Sequence, residues 1–185
     1  MSGKKKLLVH TCCAPCLIGP YQHLKDSDWE VTLLWFNPNI HPYTEYLKRR
    51  DTLKEYVEKA HIPIIWQDEY DLDLFLSATA EANPVRCAGC YELRLQRTAQ
   101  IAMGKGFDAF TTTLLYSKYQ KHELAKDIGE RLARQFGIEF YYQDWRVYWQ
   151  EGIDLSLEEQ LYRQPYCGCI FSEKNRYWKP SKVLT

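Results

Sequence analysis

All the cysteine in this chain falls in three tight knots, and a fold can use them together only by joining distant stretches of sequence. The knots are Cys12, Cys13 and Cys16 in His10-Thr-Cys-Cys-Ala-Pro-Cys16, Cys87 and Cys90 in Arg86-Cys-Ala-Gly-Cys90, and Cys167 and Cys169 in Tyr166-Cys-Gly-Cys169. Scattered thiols behave as small buried hydrophobes. Neighbouring residues of a helix or strand point to different faces, so packing does not account for pairs and triples this close. Gathered by the fold, three knots would line one cavity with sulfur, the setting a metal cluster requires. Seven is also an odd number, which a framework of disulfides would leave unpaired.

The rest of the chain alternates short apolar runs with amphipathic stretches. Strands are expected at Leu7–His10, Val31–Phe36, Ile62–Trp66, Phe107–Leu115 and Ile138–Tyr142. Asn37-Pro-Asn39 closes the second as a turn, and Pro63 fits only near the start of the third. Helices are expected over Tyr43–Ala60, over Leu72–Gly106 with a break around Asn83-Pro84, over Lys121–Phe136 with Gly137 as C-cap, and around Ser156–Arg163. This alternation predicts an α/β fold: five parallel strands with helices on both faces. Ligands in such sheets collect at the carboxyl ends of the strands, where the strand order reverses. Thr11-Cys-Cys13, Asn37-Pro-Asn39, Leu115-Tyr-Ser117 and Gln143-Asp-Trp-Arg146 all follow strands and mark that edge as the site.

The 185 residues suit a single catalytic domain, with a Rossmann-like core over about residues 5–145 and a C-terminal helical segment over 152–185 that carries the last cysteine pair. The 24 basic and 24 acidic residues balance, so no global field announces a polyanionic partner. Local basic runs remain: Lys4-Lys-Lys6, Lys48-Arg-Arg50, and a tail with Lys174, Arg176, Lys179 and Lys182, each readable as a solvated face. No stretch approaches the apolar length of a membrane span, and the basic start is followed by too short an apolar run for a signal peptide. A cytoplasmic location is expected, where clustered thiols point to metal or redox chemistry.

A Cys-x-x-Cys pair serves zinc, iron–sulfur clusters and dithiol exchange alike. Four thiolates complete either one structural zinc or one four-iron four-sulfur (4Fe-4S) cluster, and three are left over. Three soft ligands can hold a further ion with an open coordination position. The adjacent Cys12 and Cys13 are expected to diverge, each serving a different centre.

Five blocks of this sequence, taken together, resemble the QueH-type epoxyqueuosine reductases. They are His10–Cys16, Asn37-Pro-Asn-Ile40 with Pro42 and Glu45-Tyr46, Arg86–Cys90 with Leu93-Arg-Leu95, Thr111-Thr-Thr-Leu114 with Ser117, and Tyr166-Cys-Gly-Cys-Ile-Phe-Ser172. The likeness runs from about Leu7 to Ser172. It departs at Lys118, where a proline is expected after Ser117. The resemblance implies a sheet similar to adenine-nucleotide α-hydrolase and PP-loop (HUP) folds. It also implies reduction of the epoxide of epoxyqueuosine at the wobble position of tRNA, using a 4Fe-4S cluster and an adjacent ion, expected to be iron, without cobalamin. On that reading Cys12, Cys87, Cys90 and Cys167 bind the cluster, and Cys13, Cys16 and Cys169 bind the ion, with a swap within the pairs left open. Tyr116, Asp144 or water supplies protons. Arg86 and Arg94 are candidates for tRNA phosphate contacts, Arg94 equally for a helix-surface ion pair. Asn37 and Asn39 are turn formers or substrate contacts, and Ser117 is a substrate-binding candidate. His10 reads as a hydrogen-bonded core residue. An electron donor is required and is not identified by the sequence.

Two rivals remain. A PP-loop tRNA sulfur transferase shares the sheet and a cluster, but needs a glycine-rich phosphate loop where this chain has Thr-Cys-Cys-Ala-Pro-Cys. A zinc-stabilised RNA-binding module would use four of the thiols and no redox chemistry.

Overall fold

The computed structural model describes residues 3–82 and 85–179. Five strands form its sheet: β1 (Lys5–His10), β2 (Trp29–Trp35), β3 (Ile64–Trp66), β4 (Ala109–Thr112) and β5 (Glu139–Phe140). All pair in parallel, in the order β3-β2-β1-β4-β5. This is the order of the first five strands of a doubly wound sheet. The central β1 is hydrogen-bonded on both edges, to β2 and to β4, and its Leu7-Leu-Val9 run is fully buried. A parallel strand covered on both faces reads as a continuous apolar run for this reason.

The seven helices are α1 (Ala14–Leu24), α2 (Tyr43–Lys59), α3 (Leu72–Glu81), α4 (Arg86–Gly104), α5 (His122–Phe136), α6 (Trp149–Glu158) and α7 (Ile170–Tyr177), among the described residues. Strand connections step first one way along the sheet and then the other. Right-handed crossovers therefore put α1 and α2 on one face and α4 and α5 on the opposite one. The packing agrees: α1 lies against α2 and α6, whereas α4 lies against α3, α5, β1 and β4. Asn83, Pro84 and Lys182 lie outside the described residues.

Three differences from the sequence-based expectation bear on the site. Strand β4 stops at Thr112 because the Thr112 Oγ1 accepts from the Leu114 amide at 3.1 Å, turning Thr113–Leu115 into a short 3-10 helix. Helix α1 was not expected, since Pro15, Gly19 and Pro20 break up its pattern; Pro15 costs nothing in the first turn, where no helical partner exists for its nitrogen. Helix α6 begins earlier than Ser156, and its buried residues are Gly152 and Ser156, too small to register as an apolar stripe. Among the described residues no helix is long and apolar enough to cross a membrane.

Those small residues have a purpose in packing. A β-carbon on Gly19 would stand 3.2 Å from the Gly152 Cα, and one on Gly152 would meet the Tyr116 hydroxyl at 2.1 Å. Helices α1 and α6 therefore touch backbone to backbone, with Tyr116 wedged at the crossing and donating to the Trp149 carbonyl at 3.1 Å. Gly152→Ala is expected to destabilise the fold by about 1–3 kcal/mol through overpacking. Thermal unfolding should show a lowered Tm, and Tyr116→Phe in the same chain should restore part of it by removing the clashing oxygen.

Candidate metal centre and active-site cavity

The strand order reverses between β1 and β4, and the first cysteine knot leaves β1 at that point. His10, the last residue of β1, braces the reversal. Its Nδ1 lies 2.9 Å from the Thr112 Oγ1 and its Nε2 lies 3.2 Å from the Phe36 carbonyl. A carbonyl only accepts, so Nε2 carries the proton and Nδ1 accepts from the threonine. Burial lowers the His10 pKa to about 3, which keeps the ring neutral, the core role expected of it. Asn37 supports the same strand end by donating from Nδ2 to the Thr11 carbonyl at 2.9 Å.

The Cys12, Cys13 and Cys16 sulfurs all lie within 4.8 Å of one another and are buried. The expected divergence of Cys12 and Cys13 does not occur: their sulfurs are 3.8 Å apart. Cys13 is the N-cap of α1, with φ −176° and ψ 164°, so neither helical nor strand periodicity governs the pair. Cys16 sits in the first turn, whose side chains lean back toward the helix N-terminus. Thiol hydrogen bonds from Cys13 and Cys16, with a further one from the Thr113 hydroxyl at 3.3 Å, hold Cys12 well below the ordinary thiol range. Burial pushes Cys13 up, and the bonds to its two neighbours push Cys16 up.

The second knot opens α4. Burial raises the Cys90 thiol to about 11, against the pull of Arg94, whose Nη2 donates to its sulfur at 3.3 Å. Arg94 is itself buried, has no carboxylate partner among the described residues, and acts electrostatically on Cys12 and Cys167 as well. The helix-surface ion pair considered for it is therefore not what forms. The Arg94 Nε donates to the Cys90 carbonyl at 3.3 Å, and the side chain also lines the cavity.

The third knot is docked onto the sheet by residues that sequence reasoning missed. Arg49, read within the Lys48–Arg50 run as a solvated face, is fully enclosed; it pairs with Glu45 at 2.6 Å and donates to the Tyr166 and Cys167 carbonyls at 3.0 Å each. Tyr162 donates to the other Glu45 oxygen at 2.5 Å, the His41 amide donates to the Gly168 carbonyl at 2.8 Å, and Tyr166 donates to the His41 carbonyl. Gln164 donates to the Cys13 sulfur at 2.9 Å and lies 3.6 Å from that of Cys16. The Glu45…Arg49 spacing of one helical turn, on an otherwise basic run, was the available signal. Within the knot the sulfurs are 3.7 Å apart; the hydrogen bond they share brings Cys167 down to about 5 and pushes Cys169 up.

Together the knots enclose a cavity of about 880 Å³ lined by Cys12, Cys16, Cys87, Cys90, Cys167 and Cys169. Asn39, Arg86, Arg94, Tyr116 and Ser117 line it too, as the sequence suggested, while Asn37 and Asp144 do not. Asp144 caps the turn before α6, and its hydrogen bonds from Arg146 at 2.6 and 2.8 Å hold its carboxyl down to about 2. An ionised carboxylate away from the cavity cannot supply its protons, so Asp144 drops out of the proton-donor set. Burial pushes the Tyr116 phenol up, so it keeps its proton.

The donor set fits metal binding. All seven thiols are free, and a buried guanidinium beside them has no anion to balance it other than sulfur. Removing the Arg49 charge leaves Glu45 buried and unpaired, a change worth about 3–5 kcal/mol. Arg49→Met is thus expected to undock residues 162–169, and trypsin should cut at the exposed Arg163 many times faster than in the parent protein.

A family model described as "Epoxyqueuosine reductase QueH" matches residues 7–175. The protein of that name from Dehalococcoides mccartyi is 33% identical over 95% of this chain and 97% of its own length. That from Thermotoga maritima is 32% identical over 96% of this chain and 95% of its own. Among solved structures, the U34-tRNA thiolase NcsA from Methanococcus maripaludis aligns with a TM-score of 0.45 and 13% identity, over 86% of this chain and 67% of that one, too loosely to carry an argument. With all three knots inside the matched region, the chain belongs to the QueH family of epoxyqueuosine reductases.

Proposed function

We propose that this chain reduces the epoxide of epoxyqueuosine, carried at the wobble position of tRNA, to the alkene of queuosine. The observation that supports this reading best is the cavity itself. Among the described residues, six thiols line it, five cations line it (Arg86, Arg94, Lys121, Arg163 and Arg176), and not one carboxylate does. Thiols in that number suit redox metal chemistry, and a wall of cations without acids suits a polyphosphate chain. Each turnover breaks both carbon–oxygen bonds of the epoxide, forms a carbon–carbon double bond, consumes two electrons and two protons, and releases water. The electrons come from an external low-potential donor. Seven thiols kept reduced for metal binding would suit a reducing compartment such as the cytoplasm.

A 4Fe-4S cluster would supply electrons singly, and a neighbouring ion would supply a Lewis-acid position for the epoxide oxygen, with no call for cobalamin. Cys12, Cys87, Cys90 and Cys167 would hold the cluster, because Arg94 acts on three of them at once. Cys13, Cys16 and Cys169 would hold the ion, with Gln164 orienting the first two. The tight grouping of Cys12 with Cys13 and Cys16 favours a second arrangement, in which that triad takes the ion and the other four thiols take the cluster. Tyr116, protonated and lining the cavity between α1 and α6, is the proton donor of this reading. Asn39 and Ser117 meet the base, and the buried Asn39 Oδ1 has no protein partner to lose.

Anaerobic protein given epoxide-bearing tRNA and dithionite should yield a nucleoside lighter by one oxygen in mass spectrometry. Cys13→Ala should abolish that loss; intact turnover in this variant would sink the two-centre reading. Iron content and visible absorption of Cys12→Ala separate the two ligand arrangements. Loss of the cluster chromophore supports the first, and a retained chromophore with a single iron missing supports the second. Tyr116→Phe should slow turnover about 100-fold or more at unchanged iron content, the range for losing a general acid.

A further inference from the structure

An aromatic residue stands free at the mouth of the cavity. Tyr119 is 84% exposed, the most exposed large hydrophobic among the described residues, yet its loop is not loose. The Tyr91 hydroxyl, reaching up from α4, donates to Gln120 at 2.6 Å and accepts from the Lys121 amide at 3.0 Å. The Tyr119 amide itself donates to the Ser117 hydroxyl at 3.3 Å. A hydrogen-bonded loop thus holds a largely exposed ring toward solvent, more apolar exposure than packing within this chain accounts for.

The ring does not stand alone. It packs against Trp149 in a T-shaped contact with ring centroids 5.7 Å apart, and Trp149 in turn lies 5.2 Å from the Tyr116 ring deeper in the cavity. Lys118 reaches over the same indole at 5.7 Å. Lys121 and Arg163 line the adjoining wall. The series Tyr119, Trp149, Tyr116 therefore runs from the rim to the thiols, with cations beside it.

We propose that Tyr119 and Trp149 form a stacking step for an unpaired base next to the target nucleotide, with Lys118, Lys121 and Arg163 holding the phosphates on either side. The inference rests on the tRNA reading above and specifies how that substrate is gripped: an RNA loop with splayed bases, not a duplex. Stacking planes flanked by cations are how single-stranded nucleic acid is held, because every base offers a π-face while only unpaired ones can reach a ring. A duplex of equal charge would meet the same cations but leave the ring unused.

The test is binding, so it does not depend on turnover. Fluorescence anisotropy would compare an anticodon stem–loop RNA with a blunt duplex of the same phosphate count, at fixed salt. The parent protein should prefer the hairpin, and Tyr119→Ala should weaken hairpin binding about 5- to 150-fold, the span for single stacked bases, while duplex binding stays within twofold. Tyr119→Phe should bind as the parent does. Hairpin affinity within twofold of the parent in Tyr119→Ala, or an equal loss for hairpin and duplex, overturns the proposal. So does unchanged hairpin binding combined with slower turnover only when a small iron–sulfur protein replaces dithionite, which would mark the ring as a donor contact. Hairpin binding that ignores Tyr119 in an enzyme that still reduces epoxide-bearing tRNA defeats this inference alone. Tyr119-dependent binding in a protein that never reduces the epoxide defeats the reductase reading and leaves the surface standing.

Discussion

Arg49 ties α2 to the loop that carries the third cysteine knot, and that tie is central to closing the cavity. Its guanidinium satisfies Glu45 on α2 and then the carbonyls of Tyr166 and Cys167, so one buried charge is neutralised within its helix and its remaining donors fix a distant loop. A buried ion pair is a weak source of net stability, since desolvation offsets most of the attraction. Its value here is positional. Three knots separated along the sequence reach one space because the sheet delivers the first at the end of β1, α4 delivers the second at its opening turn, and Arg49 delivers the third.

The parts of this architecture that were legible in the sequence are those governed by burial alone. Leu7-Leu-Val9 is enclosed on every side and reads as a strand for that reason, and α5 announces its end with Gly137 in the left-handed region at φ 67°. What escaped is packing carried by residues without bulk or with charge. Helix α6 meets α1 through glycine, which no hydrophobic pattern can record. Arg49 looked like one of three surface cations, because a sequence does not show that the partner it needs lies more than a hundred residues away.

The site shows the same division. Which residues would gather was visible from spacing: all three knots border or support one cavity, with Arg86, Arg94 and Ser117 beside them. How they face each other was not. The Cys12–Cys13 contact depends on an extended N-cap, a local geometry set by the exit from β1. Asp144 failed as a proton donor for an equally local reason: a neighbour two residues on, Arg146, claims both of its oxygens.

The cavity's missing acids have a consequence for selectivity among nucleic acids. The protein as a whole carries no net charge, so it exerts little long-range pull on the bulk of cellular polyanion. Five of its cations line one recess, where low-dielectric walls strengthen their pull. An approaching strand gains little until a segment narrow enough to enter has turned inward, and random contacts elsewhere are released quickly. Neutrality outside and positive charge inside thus act as a sieve, rewarding depth of insertion over mere proximity.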